Sequence, residues 1–282
     1  MPRTIAIRLQ CAGIGDCLCA IPILRQVRRR YPEVTELVLF TYQPALFQRC
    51  PYTDRIHHID DQAALAAFPE VLTLFDTGKL PYHLMDTIDF MSIAAGLGQL
   101  SFREKQLEYF PVEADQSQRY DVVLNTSMTW PSRSWPQTNW QRLADRLLAL
   151  GRSVAVVGKT VYSPWDQMEK TSQGLAGCVD LTNRLSLDQT YFTIARAGLF
   201  VTCQGGLSVL SGAADTPIVM LDRSVEWSKY ALYRHEDPHY RFHLVKGGCD
   251  IYCCDSQACP VYGEFRCIPG LDAVWATVAD LI

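Results

Sequence analysis

Apolar residues along the chain fall into short continuous runs separated by stretches with helical spacing. Ile5–Leu9 reads as a buried strand. Leu18, Ile21, Leu24 and Val27 then recur at the spacing of a helix running from about Asp16 to Tyr31. Leu37–Phe40 is the next strand, followed by a helix near Pro44–Arg49, a strand Arg55–Ile59 and a helix Gln62–Phe68. A strand Val71–Phe75 and a helix His83–Leu97 complete this series. Strands alternating with helices predict a parallel sheet covered on both faces.

The polar stretch Pro111–Gln118 interrupts the pattern and is the candidate linker. The alternation restarts with strand Tyr120–Asn125, helix Asn139–Leu150, strand Arg152–Val157 and a helix over Pro164–Thr171. Strand Val179–Leu181, helix Leu187–Ala197, strand Leu199–Cys203, helix Gly206–Ala213 and strand Pro217–Leu221 follow, and a helix Leu271–Ile282 ends the chain. The predicted class is α/β, with two Rossmann-like doubly wound domains, 1–115 and 119–282, facing a cleft. Such sheets bind ligands at the carboxyl ends of their strands.

Within the second series, Val201–Pro217 reads as strand, glycine turn, helix of small residues and strand. Gly205 and Gly206 are expected there for positive φ angles and for the absence of a Cβ in a ligand's path. The following helix would aim unpaired N–H groups at a phosphate. The same pattern also serves simply to pack a helix close to a sheet, so both readings stand.

The chain has 282 residues, 48% hydrophobic and 20% charged, as ordinary globular domains do. No apolar run reaches the ~18 residues of a membrane span. No signal-peptide pattern opens the sequence, so a cytoplasmic protein is expected. The net charge of −4 gives nucleic acid no general electrostatic attraction. Arg25, Arg28, Arg29 and Arg30 are the local exception. They read as a solvated helix face, with an anionic acceptor or membrane surface as the alternative. Of eleven cysteines, Cys11, Cys17, Cys19, Cys50, Cys178 and Cys203 are scattered and read as packing residues or inert thiols. Cys249, Cys253, Cys254, Cys259 and Cys267 are clustered. Four thiolates there, Cys249, Cys253, Cys259 and Cys267 with Cys254 as substitute, would suit a tetrahedral structural zinc or iron. Unliganded thiols or disulfides are the alternative.

Two loops carry candidate chemistry. In Cys11–Leu18, Asp16 stands at the start of a helix, where an aspartate serves as an N-cap. At the rim of the first strand it would also serve as a general base toward a sugar hydroxyl. In Ser127–Pro136, Arg133 has the planar fork that grips a diphosphate. The alternative is an arginine stacked on Trp130 or Trp135. Trp135 and Trp140 read as core. His57, His58, His83, His235, His239 and His243 fall in no recognisable motif.

The order Gly13-Ile14-Gly15-Asp16, Ile21-Pro22-Ile23-Leu24-Arg25 and Arg30-Tyr31-Pro32 resembles the opening of glycosyltransferase family nine, the heptosyltransferases. Arg133-Ser134-Trp135-Pro136, Asn139-Trp140 and Leu143-Ala144 resemble that family's donor-domain start. Val154–Lys159, Asp180-Leu181-Thr182, Ser186-Leu187 and the glycine turn then follow in the family's order. The resemblance implies a GT-B pair of domains and inverting sugar transfer from a nucleotide diphosphate, an ADP-sugar above all, without metal at the reacting centre. It implies Asp16 as base and a donor site of Thr129, Arg133, Lys159, Gln204, Gly205, Gly206 and Leu207. A glycan, lipid-linked saccharide or protein is the implied acceptor. Alternatives are a modified nucleic-acid acceptor, or a nucleotide-sugar-binding protein without turnover. The family typically shows Asp-Thr-Gly-x-x-His where this chain has Gln204-Gly205-Gly206-Leu207-Ser208-Val209, so an acid and a histidine are absent. The cysteine-rich tail 249–267 resembles that of the autotransporter heptosyltransferases, where an iron-bearing finger is implied.

Overall fold

The computed structural model describes residues 3–76, 85–128, 130–163, 167–222, 242–249, 259, 262 and 265–282. These residues form two compact units, one within Met1–Val112 and one from Glu113 onward.

The first unit runs β1 (Arg3–Leu9), α1 (Ile14–Arg30), β2 (Val34–Thr41), β3 (Arg55–His58), α2 (Gln62–Leu65), β4 (Val71–Leu74) and α3 (Thr87–Ala94). Its sheet has the order β3-β2-β1-β4 and every pairing is parallel. Successive strand residues face opposite sides. One face buries Ala6, Val38 and Phe40 beneath Ala64, Leu65 and Phe68, while Ile7 and Leu9, on the opposite side of β1, are also fully buried. The segment predicted as a helix near Pro44–Arg49 is a 3-10 turn, Pro44–Phe47. Helix α3 starts only at Thr87, because the Asp86 carboxylate accepts from the N–H groups of Ile88 (2.8 Å) and Asp89 (3.0 Å).

The arginine run is not a solvated face. Arg25 pairs with Glu108 at 2.6 Å and donates to the Glu104 carbonyl at 2.7 Å. Arg28 binds Asp54 and the carbonyls of Tyr52 (3.0 Å) and Val34 (3.1 Å). Arg30 binds the Leu97 carbonyl and, at 3.1 Å, Glu104. Helix α1 thus clamps the segments that follow it; of the four, Arg29 is exposed and makes no hydrogen bond or ion pair among the described residues.

The second unit runs β5 (Val122–Asn125), α4 (Gln137–Ala149), β6 (Val154–Val157), β7 (Val161–Ser163), β8 (Met168–Lys170) and β9 (Val179–Asp180). It continues through α5 (Leu187–Ala195), β10 (Leu199–Cys203), α6 (Gly206–Ser211), β11 (Ile218–Leu221), β12 (Phe242–Val245) and α7 (Leu271–Ala279). Its six-stranded sheet has the order β12-β11-β10-β5-β6-β9, again parallel throughout. Counted without the hairpin and read from the β9 edge, that is third, second, first, fourth, fifth, sixth: the order of a dinucleotide-binding fold. Trp135 and Trp140, each 1% exposed, pack edge to face at 4.9 Å against Leu143, Leu147, Val274 and Val278. The Trp135 indole N–H donates to the Pro269 carbonyl at 2.8 Å, tying the start of α4 to the approach to α7.

Two expectations fail here. Of the predicted helix Pro164–Thr171, residues 164–166 lie outside the described ones and the remainder is not helical: β7 and β8 pair antiparallel, Val161 against Lys170, and Gln167 holds φ 53. Strand β12 was not predicted at all. Among the described residues no helix is long and apolar enough to cross a membrane.

Two stability predictions follow from these contacts. Trp135→Ala removes a fully buried indole and its hydrogen bond, and is expected to cost about 3–5 kcal/mol in urea unfolding. The Glu104 carboxylate is held down at about 2 by the Ser101 N–H, the Ser101 hydroxyl and the Arg30 guanidinium. A depressed carboxyl stabilises the fold fully above its unfolded value near 4.5, and loses that contribution as pH falls toward about 2. The melting temperature of Glu104→Gln is therefore expected to fall less steeply than that of the wild type across this acid window, and parallel curves would refute the assignment.

Candidate functional site

In the first unit, β1 ends at Leu9 and the chain turns through Cys11–Gly13 into α1. Gly13, not Asp16, is the N-cap, and it makes no side-chain cap. Asp16 is the third residue of the helix, half-buried, in the first turn, where the helix dipole favours negative charge. Its carboxylate folds back over Gly13, so that a Cβ there would lie 2.7 Å from Asp16 Oδ2. Asp16 is therefore not the N-cap residue, and glycine at 13 leaves room for its carboxylate. The Gln43 side-chain amide donates to the Ala12 carbonyl at 2.9 Å and steadies the turn. Beneath it the buried sulfurs of Cys11 and Cys17 stand 3.9 Å apart. The Cys17 contact, burial and the nearby Asp16 charge push the Cys11 thiol well above its ordinary range. Burial likewise raises Cys50 and Cys178 to about 11, so these scattered cysteines are inert packing thiols.

In the second unit the strand order reverses between β5 and β10, and the loops leaving these two strands diverge. Buried polar groups hold both loop bases. The Asn125 amide donates to Thr202 Oγ1 at 2.9 Å across the strand pair, and its Oδ1 accepts from the Ser127 N–H at 3.1 Å. Thr126 Oγ1 donates to the Gln173 carbonyl at 2.6 Å. The Met128 N–H donates to the Thr171 carbonyl at 2.7 Å. Past Thr129, which lies outside the described residues, Pro131–Arg133 forms a 3-10 turn closed by the Ser134 hydroxyl on the Trp130 carbonyl at 2.8 Å. The half-buried Arg133 places its guanidinium 4.5 Å from the centre of the Trp130 ring. That stack holds the planar fork at the base of the loop leaving β5.

Opposite it, β10 runs into the buried Gln204, 3% exposed, and then into the glycine turn. Gly205 has φ 171, extended backbone open to any residue, and a Cβ there would meet nothing within 4 Å. Positive φ is therefore not the reason for this glycine: neither conformation nor packing requires it, and its absence of side chain leaves bare backbone beside open space. Ser208 closes the turn by donating to the Gly205 carbonyl at 2.7 Å and accepting the Gly205 N–H at 3.0 Å. Gly206 and Leu207, half-buried, open the six-residue α6. Lys159 is exposed and follows β6 on the other side of β5. It leaves the strand through Gly158, at φ +142, where a Cβ would collide with the Ser172 hydroxyl and lie 2.6 Å from that of Ser127.

The tail is described only in part. Gly247, two residues beyond β12, lies so close to the Cys267 backbone that a Cβ would overlap its carbonyl. Cys259 Sγ accepts the Tyr262 N–H at 3.3 Å. Cys253 and Cys254 lie outside the described residues, and among the described ones no three metal-ligating side chains form a cluster. Sequence reasoning missed Asn125 and Thr202, whose signal was a polar residue closing or interrupting an otherwise apolar strand. It also missed Asp222, fully buried one residue beyond β11 beside Gln204, since Cys203 and Leu221 are register partners.

Three comparisons place this geometry. The chain is 31% identical over 114 residues to lipopolysaccharide heptosyltransferase 1 of Pseudomonas aeruginosa, a stretch covering 39% of this chain and 30% of that protein. It is 28% identical over 96 residues to lipooligosaccharide heptosyltransferase 2 of Haemophilus influenzae, covering 32% and 27% respectively. The matched stretches thus span less than a third of either curated relative. Among solved structures, the iron-containing dodecameric heptosyltransferase TibC of enterotoxigenic E. coli, in complex with ADP-D-β-D-heptose, is similar with a TM-score of 0.74 at 17% identity, over 99% of this chain and 76% of that one. At this identity the likeness speaks for the fold. The sequence profile of glycosyltransferase family 9 (heptosyltransferase) matches residues 92–249, more than half of the chain, so the protein belongs to that family.

Proposed function

We propose that this protein transfers a sugar from a nucleotide-diphosphate donor to an acceptor hydroxyl, with inversion at the anomeric carbon. The carrying observation is the switch point of the second unit, where the loop of Arg133 and the bare backbone of Gly205 stand at the carboxyl ends of adjacent strands. Arg133, prepositioned by Trp130, takes the diphosphate in a bidentate grip. The backbone at Gly205 and Gly206 lets phosphate oxygens approach where a side chain would block them. Thr129, Lys159, Gln204 and Leu207 complete the donor site in this reading. Asp16 takes the proton of the acceptor hydroxyl as its oxygen bonds to the anomeric carbon, and the nucleoside diphosphate leaves with the bonding pair. Stabilisation of that leaving charge is the larger contribution. An ADP-sugar is the favoured donor, in keeping with family membership and with the ADP-heptose bound by TibC. A glycan, lipid-linked saccharide or protein is the acceptor.

The buried Gln204, in place of the family's acid, favours one second reading: a binder that holds the nucleotide sugar without turnover. Thermal shift with ADP, UDP and GDP, followed by donor hydrolysis, separates the two. The transferase reading expects ADP to stabilise the protein and the ADP-sugar to be consumed. Stabilisation without any consumption selects the binder, and silence toward all three nucleotides removes both.

With a donor in hand, Asp16→Asn should lower turnover by roughly 10²–10⁴ while leaving ADP binding intact. Arg133→Ala should instead weaken ADP binding by roughly 10- to 100-fold, the worth of charged hydrogen bonds. Full turnover in Asp16→Asn would remove the base from the scheme.

The tail cysteines Cys249, Cys253, Cys259 and Cys267 form the proposed seat of a structural zinc or iron. Two features suit thiolate ligands: the approach of Gly247 to Cys267, and the Tyr262 N–H aimed at Cys259 Sγ. The metal would brace the tail and take no part in sugar transfer. Elemental analysis of the purified protein is expected to find about one zinc or iron per chain, lost in Cys267→Ser. Metal-free protein with an unchanged melting curve would exclude the site.

A further inference from the structure

We infer that Asn125 and Thr202 are positioning residues of the donor seat, and that their bridge governs how tightly a nucleoside diphosphate is held by fixing the loop of Arg133 against the glycine turn. This inference rests on the transferase reading for the ligand, but not for the bridge itself. Asn125 closes β5, Thr202 is its register partner on β10, and the backbone ladder between the two strands ends with this pair. Here the strand order reverses, so one chain leaves toward Arg133 and the other toward Gly205.

The two side chains, 4% and 0% exposed, link backbone to backbone. The Ser127 N–H donates to Asn125 Oδ1 at 3.1 Å, Asn125 Nδ2 donates to Thr202 Oγ1 at 2.9 Å, and the Thr202 hydroxyl donates to the Cys203 carbonyl at 2.8 Å. Each bond has a forced direction. A backbone N–H can only donate, which turns the amide oxygen toward Ser127 and the amide nitrogen toward Thr202. The Thr202 hydroxyl gives its one proton to Cys203 and can only accept from Asn125. A carboxylate at 125 would set an acceptor against that oxygen, and an apolar side chain would leave the Ser127 N–H unmet. The bridge thus runs from the root of the Arg133 loop to the carbonyl just before Gln204. Stability alone does not call for it. The strands are already joined by their ladder and by Leu124 and Val201 in the core, and two apolar groups of the same shape would serve a buried pair nearly as well. What a satisfied buried polar chain adds is one fixed arrangement. A planar fork gains from that, because both of its bonds to a diphosphate form only at one distance and angle.

The test is a double-mutant cycle on the affinity of the full chain for ADP, measured by titration calorimetry. Thr202→Val keeps the shape, removes the hydroxyl, and is expected to weaken ADP binding by roughly 5- to 50-fold. In that background Arg133→Ala should weaken binding further by no more than about threefold, well below its factor of roughly 10 to 100 in the otherwise unaltered chain, because the fork is no longer held in place. A merely structural bridge would lower the melting temperature and leave the Arg133→Ala factor unchanged, and that result overturns the inference while sparing the donor reading. Thr202→Ser restores the hydroxyl and should bind ADP within about twofold of the wild type; a loss as large as that of Thr202→Val overturns the inference too. Should Thr202→Val fail to fold, Asn125→Ala opens the bridge from the other strand, and the Arg133→Ala factor is expected to shrink there in the same way; an unchanged factor again overturns it. A wild type that ignores ADP, UDP and GDP alike removes the donor reading and this inference together.

Discussion

Every named strand pairing in the two main sheets is parallel, and that constraint arranges the rest of the molecule. A parallel neighbour cannot be reached by a tight turn, so each connection must travel back over a sheet face. All carboxyl ends of a sheet then lie on one rim. Where the strand order reverses, the connections leave toward opposite faces and no loop closes the space between them. In each unit the chain reverses once, between β1 and β4 and between β5 and β10. Asp16, Arg8 and Thr73 belong to the first rim, and Arg133 and Gly205 to the second. None of them is placed by its own local preference: they stand together because their strands do.

The rims are polar, and folding has to hold them still. In the second unit this is done by hydrogen bonds from polar side chains to one another and to backbone. Asn125 spans to Thr202, Thr126 seals against Gln173, and Ser208 closes the Gly205 turn on itself. Buried polar groups satisfied in this way specify one arrangement, whereas unsatisfied ones would destabilise it. The apolar weight lies below them, in the Trp135–Trp140 pair and the facing Val274 and Val278. The first unit works by charge instead, with α1 fixing its neighbours through Arg25, Arg28 and Arg30.

Much of this could be read from the amino-acid order, and the failures have physical reasons. Short, largely apolar runs rich in β-branched and aromatic residues, such as Leu199–Cys203, read as buried strands, and this one appears where expected. Segments with mixed signals were misjudged. Between Val161 and Lys170, tertiary pairing of Val161 and Tyr162 with Lys170 and Glu169 prevails over a weak helical pattern. Strand β12 escaped notice because Phe242–Val245 is short and only its partner β11 gives it a place. The arginine run misled for a different reason: charge spacing marks a helix face, but Glu104, Glu108 and Asp54, which neutralise it, are distant in sequence. Arg8 is the reverse case. In the sequence it is one polar residue in an apolar strand; only the register sets it beside Thr73.

The glycine turn shows how sequence and structure divide the argument. A glycine earns its place by φ, by packing or by what must approach it, and at Gly205 the first two are excluded by an extended φ and by empty space where a Cβ would stand. Approach is what is left, and the proposed donor seat makes use of it. Gln204 beside it alters the charge of that approach. An aspartate here would bring a negative charge that opposes a diphosphate. A buried amide both donates and accepts, and it removes one negative charge from the neighbourhood of Arg133's loop. In the proposed donor seat an uncharged Gln204 leaves the diphosphate unopposed by a neighbouring carboxylate, and that is the part of the proposal that the nucleotide series tests.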